Sequence, residues 1–313
     1  MVILPCYEPH QIQAMYTESQ IKQLFDEKVL EYVKNKNQGG NNTQKGIGYE
    51  TNFIVYQLAF LSKNVIEKNL IIKIYSQVFA FVDDLVIEFT DSLELNHYQL
   101  KNCENVYWGN GLQSIADDFE KQQKLNKHCG NNVSTLYLVV NSKKIYDNLN
   151  KKIPSDIKSC SKVMYFSPEV NLVKLIAQHQ DFREAIKYLS AFENPEPDKI
   201  ECVVTVLSGA WISHALSGVS VMDILKKAQE SSPSYIRSFS QERRLDPDVE
   251  NILSNIDNFS YNLNKGFLHW NYADELEKGT LPYSIDTERF QRFQERIKKN
   301  KPASFEELEE ILG

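Results

Sequence analysis

The chain has 313 residues, 42% hydrophobic and 11% aromatic, enough apolar material for one large core or two smaller ones. Its net charge of −7 argues against a protein that holds nucleic acid by general basicity alone, because lysines are spread along the chain with only short concentrations at 143–144, 151–152 and 298–301. No apolar stretch approaches the roughly 20 residues needed to cross a bilayer. The N-terminus lacks the basic segment and cleavage site of a secretory leader, and the five cysteines (Cys6, Cys103, Cys129, Cys160, Cys202) share no CxxC spacing. The expectation is a cytoplasmic protein without a disulfide framework or zinc knuckle.

In chain order, a Gly-rich polar loop from Gln38 to Gly48 leads into a predicted helix over 46–63, where Phe53, Ile54, Leu58 and Leu61 fall at helical spacing. Glu50 falls in its first turn, favoured there by the helix dipole, and Gln57 lies on the same face. The run 78–89 reads as a buried strand interrupted by Asp83 and Asp84; acids inside such a run point to chemistry, against the plainer reading of a turn at a strand edge. A short strand over 98–102 carries Gln99 and Lys101, which alternation puts on one face. An amphipathic helix over 112–125, a strand over 134–141, a helix over 144–151 and a strand over 162–167 follow. The fold class is α/β: a mixed sheet with helices on its faces.

An acid-bearing strand followed by an acceptor-x-Lys strand is one way to assemble a metal-dependent phosphodiesterase site: acid and acceptor hold a divalent cation, and the lysine meets the scissile phosphate or the attacking water. In that order and spacing, Glu50, Asp83-Asp84 and Gln99-x-Lys101 resemble the PD-(D/E)xK nuclease superfamily, in its variant with Gln for the second acid. The resemblance spans about residues 44 to 166 and is nearest to the nuclease domains of bacterial antiviral effectors tied to cyclic-oligonucleotide signalling or to SMC-like ATPases of the Lamassu type. It implies a restriction-endonuclease-like fold over residues 1–193 and a Mg²⁺ (or Mn²⁺) ion held by Glu50, Asp84 and Gln99, with Lys101 stabilising charge at the phosphate. Family members place the metal-binding acid just before the apolar half of the strand, which favours Asp84 over Asp83. The plainer alternatives are a first-turn helix acid for Glu50 and a common tripeptide for Gln99-x-Lys101.

Beyond the Pro-containing linker 194–199, residues 200–313 read as a mostly helical region for association with a partner or a second copy. Helices are expected over 200–218 and over 220–239 with Ser220 as N-cap, then within 247–263 and 288–299. The tail from Ser304, with Phe305, Leu308, Ile311 and Leu312 in a stripe too short for a stable lone helix, is expected to dock on another chain together with Trp211 and 266–272; the plainer reading, equally open for Trp211 in its apolar surroundings, is packing onto the core of the same chain. His97 shares the strand face of Gln99 and reads as a strand-edge histidine; His128, His179, His214 and His269 read as structural or exposed. No P-loop, dinucleotide fingerprint or G-x-S-x-G turn is present. The expected function is a metal-dependent DNA endonuclease, the effector subunit of an anti-phage complex, with DNA and a partner ATPase or signalling subunit as partners, possible homo-oligomerisation and no membrane. The alternative is an inactive nuclease-fold scaffold or nucleic-acid-binding subunit.

Overall fold

The computed structural model describes residues 15–39, 44–169, 171–214, 218–240, 244–274 and 276–312. Cys6, the apolar N-terminus, and residues 40–43 of the expected Gly-rich loop lie outside them. The described residues form two units, one within Met1–Leu61, Lys68–Asn171 and His214–Met222, the other within Ser62–Glu67, Leu172–Ser213 and Asp223–Gly313.

In the first unit, α1 (Glu18–Leu24) starts at Thr17, whose hydroxyl accepts from the Gln20 amide while the Gln20 side chain accepts from the Thr17 amide. The helices α2 (Glu27–Gly39) and α3 (Gln44–Lys68, of which Ser62–Glu67 belong to the second unit) cover most of the expected loop 38–48, so Glu50 lies beyond the first turn of α3 and its placement owes nothing to the helix terminus. Phe53, Ile54 and Leu58 form the buried stripe of α3. Strand β1 (Ile72–Ser76) was missed by the sequence reading, although Ile72 and Ile74 alternate with Lys73 and Tyr75. The expected strand 78–89 contracts to β2 (Leu85–Phe89), with residues 77–84 forming a loop before it.

Strand β3 (Glu94–Lys101) pairs antiparallel with β2; after α4 (Ile115–His128), β4 (Val133–Val140) lies parallel to β3. The helix α5 (Lys143–Lys151) leads to β5 (Ser161–Tyr165), parallel to β4. The mixed sheet runs β5-β4-β3-β2-β1-β6, closed at one edge by β6 (Val219–Ser220) on Lys73 and Ile74. Ser220 ends this strand and is also the residue directly before the helix Val221–Gln229. Burial on both faces fits the unbroken apolar run Leu136, Leu138, Val139 and Val140. Under that sheet Trp108 stands edge-on to Phe119 at 5.3 Å and donates its indole N–H to the Leu149 carbonyl at 3.0 Å. Gly109, at φ +70°, precedes the Ser114 N-cap of α4; a Cβ there would meet the Ser114 Cβ at 2.9 Å.

The second unit holds α6 (Leu172–Gln178), α7 (Gln180–Leu189), α8 (Pro197–Ile212), α9 (Val221–Gln229, which begins in the first unit) and α10 (Pro247–Ser254). It is not helical throughout: β7 (Phe259–Asn264), β8 (Phe267–Tyr272) and β9 (Glu277–Thr280) make an antiparallel sheet, followed by α11 (Glu288–Asn300) and α12 (Phe305–Leu312). The segment 266–272 is a central strand, with Phe267 and Leu268 buried; Trp211 is buried as well. The tail docks on its own chain: Phe305, Leu308 and Ile311 join a core with Val249, Leu253 and Phe293, and Tyr272 stacks on Phe305 at 3.9 Å. The stripe of α12 is therefore an interior contact, which corrects its expected role at a partner surface.

Candidate metal-binding site

The antiparallel register of β2 and β3 builds the site. Leu85 faces Tyr98, so the next position outward sets Asp84 opposite Gln99 with both side chains on one face of the sheet. Asp84 Oδ2 accepts from Gln99 Nε2 at 2.5 Å and from the Leu100 amide at 2.6 Å. Lys101, two residues beyond Gln99, is the strongest attracting charge on Asp84.

The loop that delivers Asp83 and Asp84 is hydrogen-bonded from four directions. It opens at Gln77, which holds the left-handed conformation at φ 52°, an unusual state for a non-glycine residue. The amides of Gln77 and Val78 donate to the carbonyls of Asp84 and Asp83, at 3.3 and 2.9 Å. The amides of Phe81 and Val82 both donate to Gln122 Oε1 on α4, at 2.9 and 3.1 Å. His97 Nδ1 meets the Val82 carbonyl at 3.1 Å, and Lys36 Nζ donates to the Phe81 carbonyl. An irregular segment survives in the interior only when its backbone polar groups are satisfied in this way.

Glu50, half-buried on α3, accepts from Gln77 Nε2 at 3.0 Å. Burial and the nearby negative charge of Asp84 push its pKa up to about 7, against the relief given by Gln77 and Lys101. Burial likewise raises Asp83, with Lys36 opposing, and raises Asp84, with Lys101 and the Leu100 amide opposing. Asp83 pairs with Lys36 Nζ at 3.3 Å. His97 is fully buried; its Nε2 meets the Tyr16 hydroxyl at 3.1 Å, and that hydroxyl donates to Asn126 at 2.6 Å. It braces the loop from behind and is not available to a phosphate.

Among the described residues no group of three or more His, Cys, Asp or Glu side chains is gathered to hold a metal ion. The donors present on the Glu50 side are two carboxylates, Glu50 and Asp84, and the Oε1 of Gln77, a buried oxygen with no hydrogen-bond partner. That set fits Mg²⁺, which takes one or two carboxylates and completes its shell with water and substrate oxygens. Gln99 departs from its expected place as a ligand: its Oε1 accepts from Lys36 Nζ at 3.1 Å, and it turns its nitrogen to Asp84. Charge decides that orientation, since the flipped amide would set N–H₂ against an ammonium and oxygen against a carboxylate.

Sequence reading missed Lys36, Gln77, Asp118 and Gln122. Asp118, Gln122 and Asn126 recur every four residues on α4, a buried polar stripe beside the apolar one, and that signal was legible. Lys36 left none. A cavity of about 530 Å³, lined by Tyr107, Asn141, Lys144 and Ile145 among others, opens beyond the carboxyl ends of β3 and β4; none of Glu50, Asp84, Gln99 and Lys101 lines it. No family model, curated protein or solved structure matches the chain. No helix among the described residues is long and apolar enough to cross a membrane.

Proposed function

We propose that the chain is a divalent-metal-dependent nuclease acting on DNA, with Glu50 and Asp84 as the metal-binding carboxylates and Lys101 as the group that meets the scissile phosphate. One observation supports this above the rest: Asp84 from a fixed loop and Lys101 from β3 both lie near enough for their charges to act on Glu50 from α3, and Lys101 acts on Asp84 in turn. An ion pair built only for stability has no use for a second acid that raises the first. A bound Mg²⁺ or Mn²⁺ would supply Lewis-acid activation of water and offset charge at the phosphate. The chain's own part is to hold the carboxylates rigid before substrate arrives, through the Gln99, Leu100 and Gln77 contacts, and to present the Lys101 ammonium to a developing oxyanion. The resemblance to antiviral effectors suggests invading DNA as substrate and a partner subunit as trigger.

The orientation of Gln99 favours a second reading, a nuclease-fold scaffold without turnover, because one expected oxygen ligand is withdrawn. Plasmid cleavage with Mg²⁺ or Mn²⁺ separates the two readings. Wild type should nick or cut, and Asp84→Asn and Lys101→Ala should not. An inactive wild type in both metals, with and without candidate partners, would leave only the scaffold.

A further inference from the structure

We propose that Lys36 is a positioning residue of this site: a built-in cation that fixes Gln99 as a clamp on Asp84 and fills the place a second metal ion would take. Its catalytic consequence rests on the nuclease reading, whereas the clamp itself does not.

The Lys36 ammonium, reaching in from α2, sits among four oxygens contributed by three parts of the fold. Asp118 Oδ2 on α4 lies at 3.0 Å, Gln99 Oε1 on β3 at 3.1 Å and Asp83 Oδ1 in the loop at 3.3 Å, with the Phe81 carbonyl as the fourth. Tyr32, one turn earlier on α2, donates to the same Asp118 oxygen at 3.0 Å. The lysine side chain is 17% exposed and its carboxylate partners 4% and 9%, so the group is almost out of reach of solvent. Burial opposes the charge on Lys36, but Asp83 and Asp118 outweigh it and push its pKa up. The ammonium is thus permanent at any working pH.

Four oxygens around one compact charge describe a cation site already filled. Its occupant determines what Gln99 can do, because an amide oxygen held by an ammonium leaves only the N–H₂ for Asp84. A chain of contacts then runs Lys36 to Gln99 to Asp84, from a permanent charge to a metal-binding carboxylate. With Asp83 and Gln99 committed to Lys36, Glu50 and Asp84 remain as the acids facing Lys101. The site then takes one divalent ion, not two. Arginine would not substitute, since a planar guanidinium cannot replace a point charge inside a closed ring of acceptors.

The test uses metal-free full-length protein. The Gln99 side-chain amide is followed by NMR in wild type, Lys36→Met and Lys36→Met/Asp118→Asn, and Mn²⁺ bound per chain is counted by electron paramagnetic resonance without DNA. The double variant removes one of the two carboxylates, Asp83 and Asp118, that lose their partner in the single one and threaten its folding. The expected result is one Mn²⁺ in wild type, a displaced Gln99 resonance in both variants, and a second Mn²⁺ in Lys36→Met, where the vacated oxygens are free. Turnover at saturating DNA should fall by at least about tenfold in the double variant with KM little changed. An unmoved Gln99 resonance and an unchanged ion count in a folded variant would overturn the proposal, reducing Lys36 to a structural ion pair. A displaced resonance in a protein whose wild type binds no Mn²⁺ would support the clamp and sink the nuclease reading. One ion in wild type with an unmoved resonance would do the reverse.

Discussion

Replacing Gln122 by leucine should collapse the loop that carries Asp83 and Asp84. Gln122 is fully buried, and its single Oε1 receives both the Phe81 and the Val82 amides while its Nε2 donates to Asn126 at 2.8 Å. Leucine is close in volume, so packing is nearly kept and the loss is one of hydrogen bonding. Two buried amides and the Asn126 oxygen each lose a partner; at about 1–3 kcal/mol for each buried group left unsatisfied, the two amides alone give roughly 2–6 kcal/mol. Part of that strain can be relieved by letting the loop move toward water, which is where function would suffer. Gln122→Glu keeps the acceptor and should restore most of the loop, at the expense of a buried charge. Denaturant unfolding gives the stability loss, and native-state hydrogen exchange at Phe81 and Val82 gives its location. The reasoning fails if Gln122→Leu loses less than about 1 kcal/mol and both amides stay protected.

Lys101→Ala should abolish cleavage and lower stability measurably while leaving the protein folded, since it removes the strongest attracting charge on buried Asp84; a thermal melt beside the cleavage assay checks both. Leu308→Ala, at a fully buried position in the second unit, should destabilise by about 2–5 kcal/mol without changing the mass in light scattering; an altered oligomer with undiminished stability would restore the tail to a partner surface. His97 provides a pH dependence. Burial holds its pKa down to about 4 against an ordinary 6.5, so between those values the unfolded chain binds the extra proton and stability falls as the solution is acidified. The full difference is about 3 kcal/mol, present above pH 6.5 and gone near pH 4. Denaturant unfolding across that range should show a shallower pH slope in His97→Asn than in wild type, and equal slopes would refute it.

Alternation and helical spacing alone determined much of the first unit. Leu136 to Val140 had to be a strand buried on both faces, and the stripe of Phe53, Ile54 and Leu58 had to face a core, because burial of apolar area is proportional to what a face carries. Gln99 and Lys101 on one side of a strand followed from the two-residue period. The sequence could not show that residues 77–84 form a loop rather than a strand, because hydrogen bonds from Gln122, His97 and Lys36, all distant in the chain, offset the lost ladder. Nor could it show which end of the Gln99 amide faces Asp84, a matter settled by the ammonium of Lys36 on a separate helix. The aromatic residues of 266–272 and the stripe of α12 looked free for the same reason: an apolar surface carries no mark of its partner, and only the tertiary structure shows that each is covered by its own chain.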